Sequence, residues 1–87
     1  MKKVSLNQEE HEYLTSASFL SDYMRQKLVR PIRTEQRNRT VEISEEDADV
    51  IRDLCGEALQ VKGFDQNYAP NKEGRILESL IDKFFVG

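Results

Sequence analysis

Apolar residues recur at helical spacing in three stretches of the chain. The clearest is 45–62, where Ala48, Val50, Ile51, Leu54, Cys55, Ala58, Leu59 and Val61 cover one half of a helical cylinder. Asp49, Arg52, Asp53, Gly56, Glu57 and Gln60 cover the other half. Ser44 stands at the N-cap, and Glu45, Glu46 and Asp47 give an acidic first turn that suits the helix dipole. A second stretch, 8–29, places Tyr13, Leu14, Ala17, Leu20, Met24 and Leu28 in one arc, with Phe19 and Tyr23 as a side ridge. It starts behind Asn7, with Glu10 positioned for a capping box, and stops at Arg30-Pro31. The third, 72–86, spreads Ile76, Leu77, Leu80, Ile81, Phe84 and Phe85 across half a cylinder. A single antiparallel neighbour covers less than that, so this helix is expected to touch both others, or one of them and a partner chain.

The pattern predicts an all-α domain of three helices, 8–29, 45–62 and 72–86, the last two an antiparallel hairpin, with a basic loop at 30–43. Residues 4–6 and 41–43 alternate apolar and polar. A two-stranded ribbon that short is marginal, so each is expected to be a lone lead into its helix. VSLNQEE and VEISEED share a local grammar, read as common helix-start chemistry rather than as a repeat.

Between the second and third helices lies GFDQNYAPNKEG, residues 63–74. Gly63 is expected to close the helix in a left-handed conformation, with Leu59 against Phe64. Pro70 prevents continuation and Asn71 is a good N-cap for the next helix. Asp65 and Asn67 mimic the start of a calcium loop, but Ala69 and Pro70 stand where a ligand and the turning glycine belong. The segment GFDQNYAPNKEGRILESLIDKF resembles a C-terminal pattern of small bacterial proteins of unknown function. The matching positions are Gly63, Phe64, Asp65, Tyr68, Glu73, Gly74, Leu77, Glu78, Leu80, Ile81 and Asp82. The resemblance implies a helical hairpin in a soluble bacterial or phage-borne protein, and no activity.

Eighty-seven residues make one domain. No apolar run is long enough to span a membrane, and MKKVSLNQEE lacks the apolar core of a signal peptide. Cys55, the single cysteine, fits a reducing cytoplasm. The net charge of −3 is unevenly spread. Residues 25–39 hold six cations against Glu35, a local +5, and residues 40–57 hold seven acids against Arg52, a local −6. The basic block is expected to face the acidic one around Glu45, Glu46 and Asp49.

Catalytic chemistry finds little support. His11 is the only histidine and is expected to be solvated; zinc would have to lean on carboxylates. Cys55 sits on an apolar arc, where an inert thiol is expected. No nucleophile elbow or phosphate loop is present, so no enzyme, cofactor, metal or small-molecule substrate is expected. The expected role is a non-enzymatic protein-interaction or regulatory protein, with a protein partner or a second copy as ligand. The alternative is a weak nucleic-acid-binding accessory protein using segment 25–39. The candidate partner-binding residues are Arg30, Arg33, Arg37, Arg39, Phe19, Tyr23 and Tyr68.

Overall fold

In the computed structural model, which describes residues 1–64 and 66–85, the alternating segments are paired strands. The order is β1 (Lys2–Asn7), α1 (Gln8–Ser16), α2 (Asp22–Val29), β2 (Arg33–Glu35), β3 (Asn38–Ile43), α3 (Glu45–Lys62) and α4 (Lys72–Lys83). Among the described residues the domain is therefore mixed α/β, with four helices and an antiparallel sheet of order β1-β3-β2, and not the expected all-α bundle. The register explains why. Val4 pairs Val41, and Val4, Leu6, Val41 and Ile43 all point to one face, where they are buried beneath the helices. That face gives the ribbon the hydrophobic support an isolated pair lacks. The expected loop 30–43 is mostly the β2–β3 hairpin, whose tight turn at Gln36 and Arg37 holds Gln36 at φ 48°.

The expected helix 8–29 is broken in two. Thr15 and Ser16 turn their hydroxyls back onto the carbonyls of His11, Glu12 and Tyr13, offering those groups partners other than the helix ladder. Ala17 is extended, and Ser21 accepts from the Met24 amide to cap a new helix. The Arg25 guanidinium donates to the carbonyls of Ala17 and Leu20, each at 2.9 Å, and fastens the break.

α3 spans its expected residues and pairs antiparallel with α4, as Lys62 beside Glu73 at one end and Arg52 over Phe85 at the other require. α4 stops at Lys83 with Phe84 as its C-cap, short of the expected residue 86, and Asp65 and Val86 lie outside the described residues. Gly63 is not left-handed: its φ is −88°, and the positive φ of the connection falls at Tyr68. Glycine is needed at Gly63 for space. A Cβ there would lie 2.6 Å from the Leu59 carbonyl oxygen, and one on Gly74 would overlap the Gly63 carbonyl. Asn71 clasps the two helix ends: its amide nitrogen donates to the Lys62 carbonyl at 3.0 Å and its Oδ1 accepts from the Gly74 amide at 2.7 Å.

Strand, helix, helix occurs twice, as β1-α1-α2 and as β3-α3-α4, with β2 inserted between the halves. The register runs Lys2↔Ile43 on one side of the Val4–Val41 pair and Leu6↔Arg39 on the other, which is two-fold symmetry about that pair. α2 packs on β3 and α4 on β1. Lys27 in the last turn of α2 reaches Asp47 in the first turn of α3; Lys83 in the last turn of α4 reaches Glu10 in the first turn of α1. The residue after each lysine, Leu28 and Phe84, is fully buried. Leu77, Leu80 and Phe84 are thus buried within the chain and Ile76 and Ile81 partly so, while Phe85 stays exposed.

The glycines offer a controlled comparison. Gly74→Ala must push α4 away from the end of α3 and is expected to cost about 2–3 kcal/mol. Gly56→Ala has nothing within 4 Å to strike and is expected to gain roughly 0.5–1 kcal/mol through helix propensity. Urea midpoints of the two variants would be compared with the parent; equal midpoints would defeat the close-approach account.

Candidate nucleic-acid interface

α1, α2 and α4 pack on the sheet, whose Val4, Leu6, Val41 and Ile43 face is buried, and the residues that alternate to its other face are exposed or half-buried. Alternation along β1 sends Lys3, Ser5 and Asn7 outward; on β3 the outward residues are Asn38, Thr40 and Glu42, and on β2 Arg33 and Glu35. Thr40 and Glu42 are half-buried by their neighbours and the rest are exposed. Across the strands the register sets Lys3 against Glu42, Ser5 against Thr40 and Asn7 against Asn38. Asn7 is partly committed, since its Oδ1 accepts from the Glu10 amide to cap α1. Half of these side chains, Ser5, Asn7, Asn38 and Thr40, are short donors and acceptors held in register by the strands.

The expected binding residues divide. Arg33 stands on the outer face in an exposed ion pair with Glu35, and Arg37 sits at the hairpin turn. Arg39 follows on β3 and donates to the backbone carbonyls of Gln36 and Asn38. Arg30 is exposed at the end of α2. None of the four pairs with the acidic turn of α3 among the described residues; that link is made by Lys27 instead. Among the described residues the basic block 25–39 thus meets the acidic turn of α3 through Lys27, and the four arginines take no part in that ion pair. Phe19 is half-buried, tilted against Tyr13 at 6.3 Å. Tyr23 is exposed beneath the Lys27 ammonium, and Tyr68 is exposed in the α3–α4 connection. The aromatic candidates therefore do not join the arginines on the sheet.

No protein-family model, curated protein or solved structure matches this chain. The surface charge must be read from the fold itself. The strands and hairpin, residues 1–7 and 30–43, carry Lys2, Lys3, Arg30, Arg33, Arg37 and Arg39 against Glu35 and Glu42, a net +4. The rest of the chain carries −7, which restores the total of −3. The outward face itself is balanced, Lys3 and Arg33 against Glu42 and Glu35, and the positive excess comes from Lys2, Arg30, Arg37 and Arg39 around it.

Beneath that sheet the titratable groups are committed to structure. Glu10 is buried at 2% exposure. One of its oxygens accepts from the Asn7 amide at 2.9 Å and from Lys83; the other accepts from the Ser79 hydroxyl. Burial pushes its carboxyl up, but these partners together outweigh that and hold it below the ordinary value. Hydrogen bonding to Lys27 and Ser44 likewise lowers Asp47. Tyr13, raised by burial and by its bond to Glu73, remains a phenol donating to that carboxylate at 2.6 Å. Burial pushes the Cys55 thiol up to about 12, so it is inert. His11, expected to be solvated, is half-buried with its Nε2 2.7 Å from the Leu28 carbonyl at the end of α2. The outward residues Lys3, Ser5, Asn38, Thr40 and Glu42 escaped notice as a group because only the register makes them one surface.

Glu10→Gln tests the buried acid. A carboxyl held below its ordinary pKa contributes stability above that value and loses it as pH falls through the folded-state pKa. The variant is expected to be about 2 kcal/mol less stable than the parent near neutrality, less than a fully buried pair would lose because Lys83 is partly exposed. The difference should shrink as pH falls below 4.5, the ordinary carboxyl value. Denaturant titrations across that range would measure it, and a difference independent of pH would contradict the ionised lock.

Proposed function

We propose that this chain is a non-enzymatic, cytoplasmic regulatory protein that binds duplex DNA through the open face of its sheet. The observation that carries the reading is the join between that face and its surroundings: short hydrogen-bonding side chains at the centre, Lys3 and Arg33 balanced there by Glu42 and Glu35, and a rim of Lys2, Arg30, Arg37 and Arg39. A groove reader needs both parts, since phosphate contacts position a protein and base edges specify the sequence. The dimensions agree. The recognition residues lie mainly on β1 and β3, a two-stranded ribbon with backbones roughly 4.8 Å apart, and a major groove about 12 Å wide admits such a ribbon. Arg33 is held only by an exposed ion pair, worth little in water, so a phosphate can take it. The non-enzymatic part rests on the buried acids and phenol, each engaged in a structural bond. A protein partner is the second reading, favoured by Val61 and Tyr68, which stand 84% and 87% exposed beside the α3–α4 connection.

Titration of a labelled duplex separates the two. Binding is expected at low salt, weakening by about 0.9 log unit per log unit of salt for each phosphate contacted. Arg33→Ala with Arg37→Ala should flatten the slope by about two contacts and leave the fold intact. No binding at low salt, together with a protein captured by the chain after nuclease treatment, would favour the second reading.

A further inference from the structure

The two-fold relation between the halves does not extend to the side chains on the open face. Rotation about the Val4–Val41 pair carries Lys3 onto Thr40 and Glu42 onto Ser5. The registered pair on one side of the axis is therefore a cation with an acid, Lys3 and Glu42; on the other side it is two hydroxyls, Ser5 and Thr40. Next to the hydroxyls come Asn7 and Asn38, of which Asn7 is engaged as the α1 cap. A symmetric backbone thus presents an asymmetric row of hydrogen-bonding groups.

Resting on the reading of the sheet as a duplex-binding face, we infer that the chain recognises an asymmetric site, a G·C pair at one end and an A·T pair at the other. Lys3 and Glu42 form a donor beside an acceptor. In the major groove guanine offers the acceptors O6 and N7, and its paired cytosine offers the N4 donor, so one G·C pair satisfies both side chains. At the other end the Asn38 amide matches the N6 donor and N7 acceptor of adenine. Ser5 and Thr40, between them, fit any base pair. Successive outward pairs stand two residues apart, roughly 6.6 Å, or about two base-pair steps at about 3.4 Å. The G·C and A·T positions are then about four steps apart.

Selection from a randomised duplex library with the full chain tests this, followed by titration of the enriched duplex and its single-base variants. The enriched sequence is expected to differ at its two ends as described. Glu42→Gln should reduce discrimination at the G·C position by about tenfold and spare the A·T position; Asn38→Ala should do the reverse. Both side chains lie on the solvent face, and circular dichroism of each variant confirms that it is folded. Enrichment of no sequence, or of one symmetric about its centre, overturns this inference while leaving duplex binding in place. Equal loss at both positions in either variant overturns it too. Failure to bind any duplex at low salt overturns both.

Discussion

The reciprocal crossing of the two halves holds this domain together. The first helix of each half begins with an acid at its third position, and the lysine that meets it comes from the second helix of the other half. Because the contact crosses between halves, neither half is complete without the other. The two locks differ in depth. Glu10 is enclosed and carries three hydrogen bonds, whereas Asp47 and Lys27 meet nearer the surface. The deeper one ties α4 to the start of α1, and through the Asn7 amide to the end of β1. Removing a partner there exposes an unmatched charge to a poorly solvated site, which is why a buried acid costs more to orphan than to pair.

The parts of this fold legible in the sequence were those decided within a few residues. α3, its Ser44 cap, the Asn7 and Asn71 caps and the start of α4 follow from local spacing and side-chain chemistry. The strands were written just as plainly, as alternation at Val4 and Leu6 and at Val41 and Ile43. Their pairing depends on a partner distant along the chain and on the helices beneath, which local propensity does not register. The break at Ala17 followed a different logic. The apolar period runs through it without a fault, and the hydroxyls of Thr15, Ser16 and Ser21 decide the matter by offering the backbone other partners. At Gly63 the residue type was read correctly and its purpose was not. Glycine there leaves room for the Leu59 side chain and carbonyl of the preceding turn, Gly74 lets α4 approach the Gly63 carbonyl, and the positive φ falls at Tyr68.

The same division governs the site. The local excess of charge marks the arginines, and three of them, Arg33, Arg37 and Arg39, lie on the β2–β3 hairpin. It cannot mark Ser5, Asn38 or Thr40, whose chemistry is unremarkable until the register places them side by side. The aromatic residues were grouped with the arginines by type, while the fold distributes them to the loop before α2, to α2 and to the α3–α4 connection.

Carrying both halves of the ribbon in one chain changes how such a surface responds to dilution. A ribbon assembled from two separate chains exists only above their dissociation constant, so its concentration of competent surface falls with the square of the protein concentration when protein is scarce. Here the second strand is tethered to the first, and its effective concentration is fixed by the chain rather than by expression level. Competent surface is then proportional to the number of molecules, down to a single copy. The tether also frees the two strands to diverge, because a change in one need not appear in the other.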